Sequence, residues 1–198
     1  MTRVTICAPL EQLNQTLRTR IAELEQQVEE LSRDHAHART HAESLHAASV
    51  GTNEAPDTGA AMQLVLSELR KVVPYDSASI QQLRNGRLVI VGGVGFADLD
   101  VILGESFDVN NADSPNGEVI HRRKPMIVAD TEQYRAFRRG LHVGAGIRSW
   151  LGVPLIFEDQ LLGMISLDKA EADFYTADHL RLAEAFASLA ATAMAARD

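Results

Sequence analysis

The chain is expected to fold as an α+β protein, an antiparallel sheet flanked by helices and preceded by a long coiled-coil helix. Three observations carry this reading. Leucines recur every seventh residue through the first part of the chain, two pairs of strand-like segments are each joined by a short turn, and segments of helical periodicity enclose those strands. Composition fits one ordinary domain plus an appendage, with 198 residues of which 45% are hydrophobic and 23% charged. The formal net charge of −8 argues against general nucleic-acid binding, because an acidic surface repels phosphate backbones. No apolar run approaches the ~18 residues of a membrane span, and the opening MTRVTICAPLEQ lacks a signal-peptide core. A single cysteine, Cys7, excludes an intrachain disulfide and a cysteine-based zinc site. The expected compartment is the cytoplasm, with neither nucleic acid nor membrane as partner.

Residues 1–50 contain no aromatic side chain and read as a parallel dimeric coiled coil. Leu10, Leu17, Leu24, Leu31 and Leu45 share one heptad position, d, with Ala38 in the gap. Position a then holds Asn14, Ile21, Val28, His35, Ala42 and Ser49. β-Branched residues at a with Leu at d favour two parallel strands, and an a-position Asn fixes register. The g-to-e pairs Arg20–Glu25 and Asp34–Arg39 have opposite signs, which suits the same orientation. The dimer interface is therefore expected at Leu10, Asn14, Leu17, Ile21, Leu24, Val28, Leu31 and His35, weakening beyond Leu31. His37 and His41 share a helical face, but no carboxylate or cysteine completes a metal set, so none is expected.

The run GTNEAPDTG, residues 51–59, is rich in breakers and reads as a hinge; residues 60–198 hold every Phe, Tyr and Trp and so the packed core. AAMQLVLSELRKVV carries helical periodicity through Met62, Val65, Leu69 and Val72 until Pro74. SASIQQL, the turn RNG and RLVIVGGVG read as a hairpin. Residues 95–147 are loop-rich, with a helical turn in SPNGEVIHRR and a short strand at MIVAD. RSWLGVPLIFEDQLLGMISLDK gives two more strands joined at Glu158-Asp159-Gln160. The closing helix has two apolar stripes, Leu180, Ala183, Ala187, Ala190, Met194 and Phe186, Leu189, Ala193, so one face is available to a partner helix. Gly92, Gly93 and Gly95 end a hairpin strand and read as a bulge and turn, not a phosphate loop.

VPYDSASIQQL, the strand pair GIRSWLGVPLIFEDQLLGMISLDK and the closing FYTADHLRLAEAFASLAATAM resemble a GAF domain, the small-molecule sensory relative of PAS domains, over about residues 58–197. Pro154, Gly163, Phe174 and Asp178 are the points of the resemblance. It implies a sensory or regulatory module of bacterial signal transduction, not an enzyme. Its partners would be a second copy, a small-molecule ligand and a downstream output domain or protein. Alternatives are a dimerisation scaffold with an empty pocket, or a haem- or cyclic-nucleotide-binding member.

Cyclic-nucleotide binders of the family carry Asn-Lys, Phe and Asp-Glu where this chain has Asp168-Lys169, Phe174 and Asp178-His179. Two of the five differ, and a Lys169–Asp178 salt bridge accounts for the remainder structurally. The family's methionine sulfoxide reductases need pocket cysteines and its bilin carriers a cysteine within the domain, whereas Cys7 lies outside it. A haem ligand would have to be His121 or His142; no cofactor is identified. Arg122-Arg123-Lys124 and Arg135, Arg138, Arg139 read either as a solvated face or as an anion-docking patch. Strand alternation pairs Ser79 with Gln81 and Trp150 with Pro154, with Ser166 matching Met164 on the neighbouring strand. If these share the open sheet face, Ser79, Gln81, Trp150 and Ser166 line a pocket walled by residues 95–147. Arg138 or Arg148 would meet an anionic group there. The alternative for Trp150 is simple core.

Overall fold

The computed structural model describes residues 7–110, 114–135, 137 and 146–197. The chain divides into two compact units, Met1–Ala42 and Glu43–Asp198.

The first unit is helical. Helix α1 runs from Cys7 to Glu54, and its portion up to Ala42 leaves the heptad side chains Leu10, Leu17, Ile21, Leu24, Val28 and Leu31 exposed. Its polar surface is knitted by turns such as Arg20–Glu23 at 2.9 Å. A long amphipathic seam without intrachain cover is the arrangement a coiled coil requires.

The second unit starts inside the same helix. Ser44, Ala48 and Thr52 lie one turn apart and are buried, and Leu45 packs against the same core. The expected hinge over 51–59 is therefore much shorter, because α1 continues through Gly51–Glu54 and the helix breaks only at residues 55–57. Two contacts override the local breakers. A Cβ on Gly51 would lie 2.1 Å from Leu64 Cδ2, so glycine lets the two helices approach. Arg197 donates to the carbonyls of Thr52 and Ala55, satisfying acceptors that a helix end leaves free.

Helix α2, Thr58–Leu69, is capped by Asp57, whose side chain accepts from Ala60 N at 2.7 Å. Strands β1 (Ser77–Arg84) and β2 (Arg87–Val94) form a hairpin around Asn85 and Gly86, both with positive φ as a two-residue type I′ turn demands. A short helix α3 (Leu99–Ile102) and strand β3 (Ser106–Asp108) follow, then α4 (Pro115–Arg122), capped by Ser114, and β4 (Met126–Val128). Strands β5 (Ser149–Phe157) and β6 (Gln160–Lys169) close through Glu158 and Asp159, again with positive φ. Helix α5, Ala177–Ala195, ends the fold. The sheet order is β3-β2-β1-β6-β5-β4, antiparallel throughout, giving the α+β architecture expected.

Alternation sorts the strands onto two faces. Ala78, Ile80, Leu151, Val153, Ile165 and Leu167 face α2 and α5 in the main core, with Phe186 fully buried among them. Leu88, Trp150 and Met164 face the other way, toward Val119 and Ile120 of α4. Most of both apolar stripes of α5 packs inside the unit: Ala183, Phe186, Ala187, Ala190, Ala193 and Met194 are buried, while Leu180 and Leu189 are only partly covered. Helix α2 is among the elements that α5 packs against.

The glycine cluster of β2 acts as read from the sequence. The β1–β2 register slips by one residue between Ile80 and Gln81, and Gly95, at φ +86°, turns the chain where a Cβ would lie 2.0 Å from Asp76 O. The Lys169–Asp178 bridge does not form. Lys169 pairs with Asp76 at 2.7 Å and lies over Phe174, while Asp178 pairs with Arg181 within the first turn of α5. The reason is register: Ser77 lies opposite Asp168, which sets Asp76 beside Lys169.

Candidate functional site

The sheet face opposite α2 and α5 forms the floor of a cavity of about 540 Å³. Its walls come from the segment after β2, including Phe96 and Ile102, from Ser114, Pro115 and Asn116 at the start of α4, and from Phe137 and Ile147. Gly93 makes room for one wall, since a Cβ there would lie 3.0–3.2 Å from Phe96, Leu99 and Ile102.

Ser79, Gln81, Trp150 and Ser166 all line this cavity, as the alternation argument expected. Ser79 lies opposite Ser166 across the β1–β6 pair, and Ser166 opposite Gly152 on β5. These groups are linked. Gln81 Nε2 donates to Ser79 Oγ at 3.1 Å, Asn116 Nδ2 donates to Gln81 Oε1 at 3.4 Å, and Trp150 Nε1 donates to Ser166 Oγ at 2.7 Å. Each serine hydroxyl thus accepts a hydrogen bond and keeps its own proton to give. Trp150 fills both roles the sequence left open, being buried in the second core cluster while lining the cavity.

The indole lies across Gly152: a Cβ there would come within 2.1 Å of Trp150 Cη2. Phe137 meets the indole edge-on at 6.4 Å. Gly152→Ala should therefore push the ring from its seat and break the bond to Ser166, at a cost of about 2 kcal/mol for overpacking. Trp150 is the only tryptophan, so its emission reads the change directly, and a red-shifted, less stable variant is expected.

The floor also holds a residue that the strand-alternation argument did not use. Asp168, on the same face as Ser166 and Met164, is 7% exposed and lines the cavity. Its Oδ2 accepts from Ser77 Oγ at 2.7 Å. Burial pushes its carboxyl up to about 6, against the opposing Ser77 hydrogen bond and with a smaller push from Asp76. Asp76 itself is held below its ordinary value: burial acts against this, but Lys169 and the Ala170 N–H outweigh it.

Of the two arginines expected to meet an anion, Arg148 is not at this floor. Arg148 is locked by Asp130 through two hydrogen bonds of 3.1 and 3.0 Å, with Glu132 at 3.6 Å, and it does not line the cavity. That hydrogen bonding holds Asp130 down to about 2. Arg138 lies outside the described residues, as do Arg139 and His142. His121 is exposed, with Nε2 2.8 Å from Val109 O, and is not part of the cavity lining. Arg122 pairs with Glu118 at 2.9 Å and Arg123 donates to the Asp159 carbonyl, the behaviour of a solvated face. His179 serves the α5 capping box with Thr176, its Nδ1 accepting from Thr176 N at 3.3 Å. Among the described residues no group of three or more His, Cys, Asp and Glu side chains is placed to hold a metal.

Comparison with known proteins follows the same lines. The chain matches a family profile described as the GAF domain over residues 55–195. Among solved structures it is similar to the GAF domain of a phosphoenolpyruvate-protein phosphotransferase from Coxiella burnetii, with 21% identity, a TM-score of 0.71, and coverage of 80% of this chain and 95% of that one. It is also similar to a putative GAF sensor protein from Burkholderia vietnamiensis, at 18% identity and TM-score 0.67, covering 82% and 99%. A free methionine-R-sulfoxide reductase from Neisseria meningitidis, solved with its substrate, shares 13% identity at TM-score 0.66, covering 79% and 89%. No curated protein matches the chain.

Proposed function

The chain belongs to the GAF domain family, and on that premise we propose that it is a homodimeric sensory or regulatory module of bacterial signal transduction that binds a small molecule. One observation carries the reading: a cavity of about 540 Å³ whose floor is a row of buried polar groups, Gln81, Ser79, Ser166 and Asp168. Pockets of this size with a few convergent polar groups in an apolar wall are typical of ligand sites. The second copy is supported by the exposed heptad seam of α1, which favours a parallel coiled coil. The same helix enters the globular core at Ala48, so the dimer helices are the natural output path toward a downstream domain or protein.

Two further elements belong to this proposal. It acts without catalysis, because the reductase members of the family depend on pocket cysteines and the only cysteine here is Cys7. It works in the cytoplasm; among the described residues no helix is long and apolar enough to cross a membrane.

Native mass spectrometry of freshly purified full-length chain tests the reading. A dimer carrying a small molecule that is released on denaturation is the expected result. A bare dimer that takes up nothing from a metabolite extract would instead favour the scaffold. Calorimetry with cyclic AMP and cyclic GMP should show no micromolar binding, since Asp168 and His179 stand where the nucleotide-binding members carry Asn and Glu.

A further inference from the structure

We propose that the cavity selects a cationic ligand, whose ammonium or amidinium group rests on the Asp168 carboxylate. This rests on the reading of the cavity as a ligand site and adds the charge of what it takes. Asp168 is buried on the floor, yet Ser77 is its only side-chain hydrogen-bond partner among the described residues. Among the described residues the cations nearest it are committed elsewhere. Lys169, the next residue, holds Asp76; Arg148 holds Asp130; and Arg87 donates to the Ser106 hydroxyl at 3.0 Å and to its carbonyl.

A carboxylate carries about four acceptor sites, so one serine hydroxyl leaves most of them unused. Burial without a counter-charge is unfavourable, and a ligand cation relieves it. The lining adds to the same field, with Glu105, Asp108 and Asp168 against Arg87 among the described residues. A planar amidinium presents two parallel N–H donors to one carboxylate and places its apolar body toward Trp150 and Phe137. Binding then depends on Asp168 being ionised. Asp76 and the buried Tyr175 hydroxyl are its titratable neighbours, with Glu105, Asp108 and Arg87 across the cavity. Affinity for a cation should fall as pH drops through about 6.

Benzamidine and benzamide test this, being nearly the same shape with and without the charge. The full-length protein is titrated with each, following Trp150 emission and heat. At pH 7.5 benzamidine should bind at least about tenfold tighter, the gain expected when a neutral hydrogen bond becomes charge-assisted. The preference should vanish at pH 5 and in Asp168→Asn, which keeps an acceptor for Ser77. It should survive in Ser77→Ala, which keeps the charge. Equal binding of the two probes, or a preference retained in Asp168→Asn, overturns the cation proposal and leaves the cavity a ligand site. Binding of neither at millimolar concentration also overturns the cation proposal, while the reading of the cavity as a ligand site is decided separately by native mass spectrometry.

Discussion

Replacing Ile21 and Leu24 together with lysine should convert the proposed coiled-coil dimer into monomers at micromolar concentration. Both side chains are about half exposed in the single chain, at 54% and 45%, so they contribute little within it. In a parallel coiled coil they occupy neighbouring a and d layers and meet their own copies. Four apolar side chains would then leave the seam, at about 1.5 kcal/mol each even on a cautious scale. The sum, about 6 kcal/mol, corresponds to more than four powers of ten in dissociation constant. Four ammonium groups facing one another add repulsion. Sedimentation equilibrium reads the mass, and far-ultraviolet dichroism should show a loss of helix, because an isolated polar helix of this kind is marginal in water. The globular unit should survive, since its core draws nothing from positions 21 and 24. A variant that sediments as an unchanged dimer would place the interface elsewhere. The closing helix would offer less, as most of its apolar side chains are buried within the chain and only Leu180 and Leu189 are partly open.

Legibility in the sequence followed the range of the interactions. The hairpins are local: Asn85-Gly86 and Glu158-Asp159 sit between alternating segments, and both turns are where the alternation puts them. In-register antiparallel pairing then places Ser79, Gln81, Trp150 and Ser166 on one face, because a period of two admits only two answers. Helix α3 and strand β3 have four and three residues, too few to show a period. Arg148 could not be placed, since its partner Asp130 lies 18 residues away beyond a loop, and charge alone did not say which carboxylate would take it. Asp168 shows another limit: a family pattern shared with Lys169 gives it no position, whereas the alternation of Met164, Ser166 and Asp168 puts it on the cavity face. The stretch 51–59 shows the limit of propensity, for a helix holding Gly51 is poor alone but is retained by the close packing of Leu64 and the caps from Arg197.

Asp168→Asn should stabilise the ligand-free protein at neutral pH, and this gain should disappear in acid. The folded carboxyl titrates at about 6, above the ordinary 3.8, because burial penalises the ion. Between those two values the folded state binds more protons than the unfolded state. Stability from this group is therefore fully present below pH 3.8 and is lost as pH rises through about 6. The shift corresponds to about 3 kcal/mol at most, or roughly 6–12 °C in Tm for a domain of this size. Asparagine carries no charge to desolvate, so its Tm should exceed that of the wild type at pH 7.5 and match it near pH 4. Asp130 works in the opposite sense and in a lower window. Arg148 holds it down to about 2, so its contribution fails only as pH falls below 3.8 and does not mask the effect. Thermal melts of both proteins across pH 4–8 give the comparison. A lower Tm for Asp168→Asn at pH 7.5 would mean that the folded chain stabilises the carboxylate. The cost of ionised Asp168 in the empty protein is the same free energy that a bound cation would recover. A saturating cationic ligand should therefore reverse the order of the two melting temperatures.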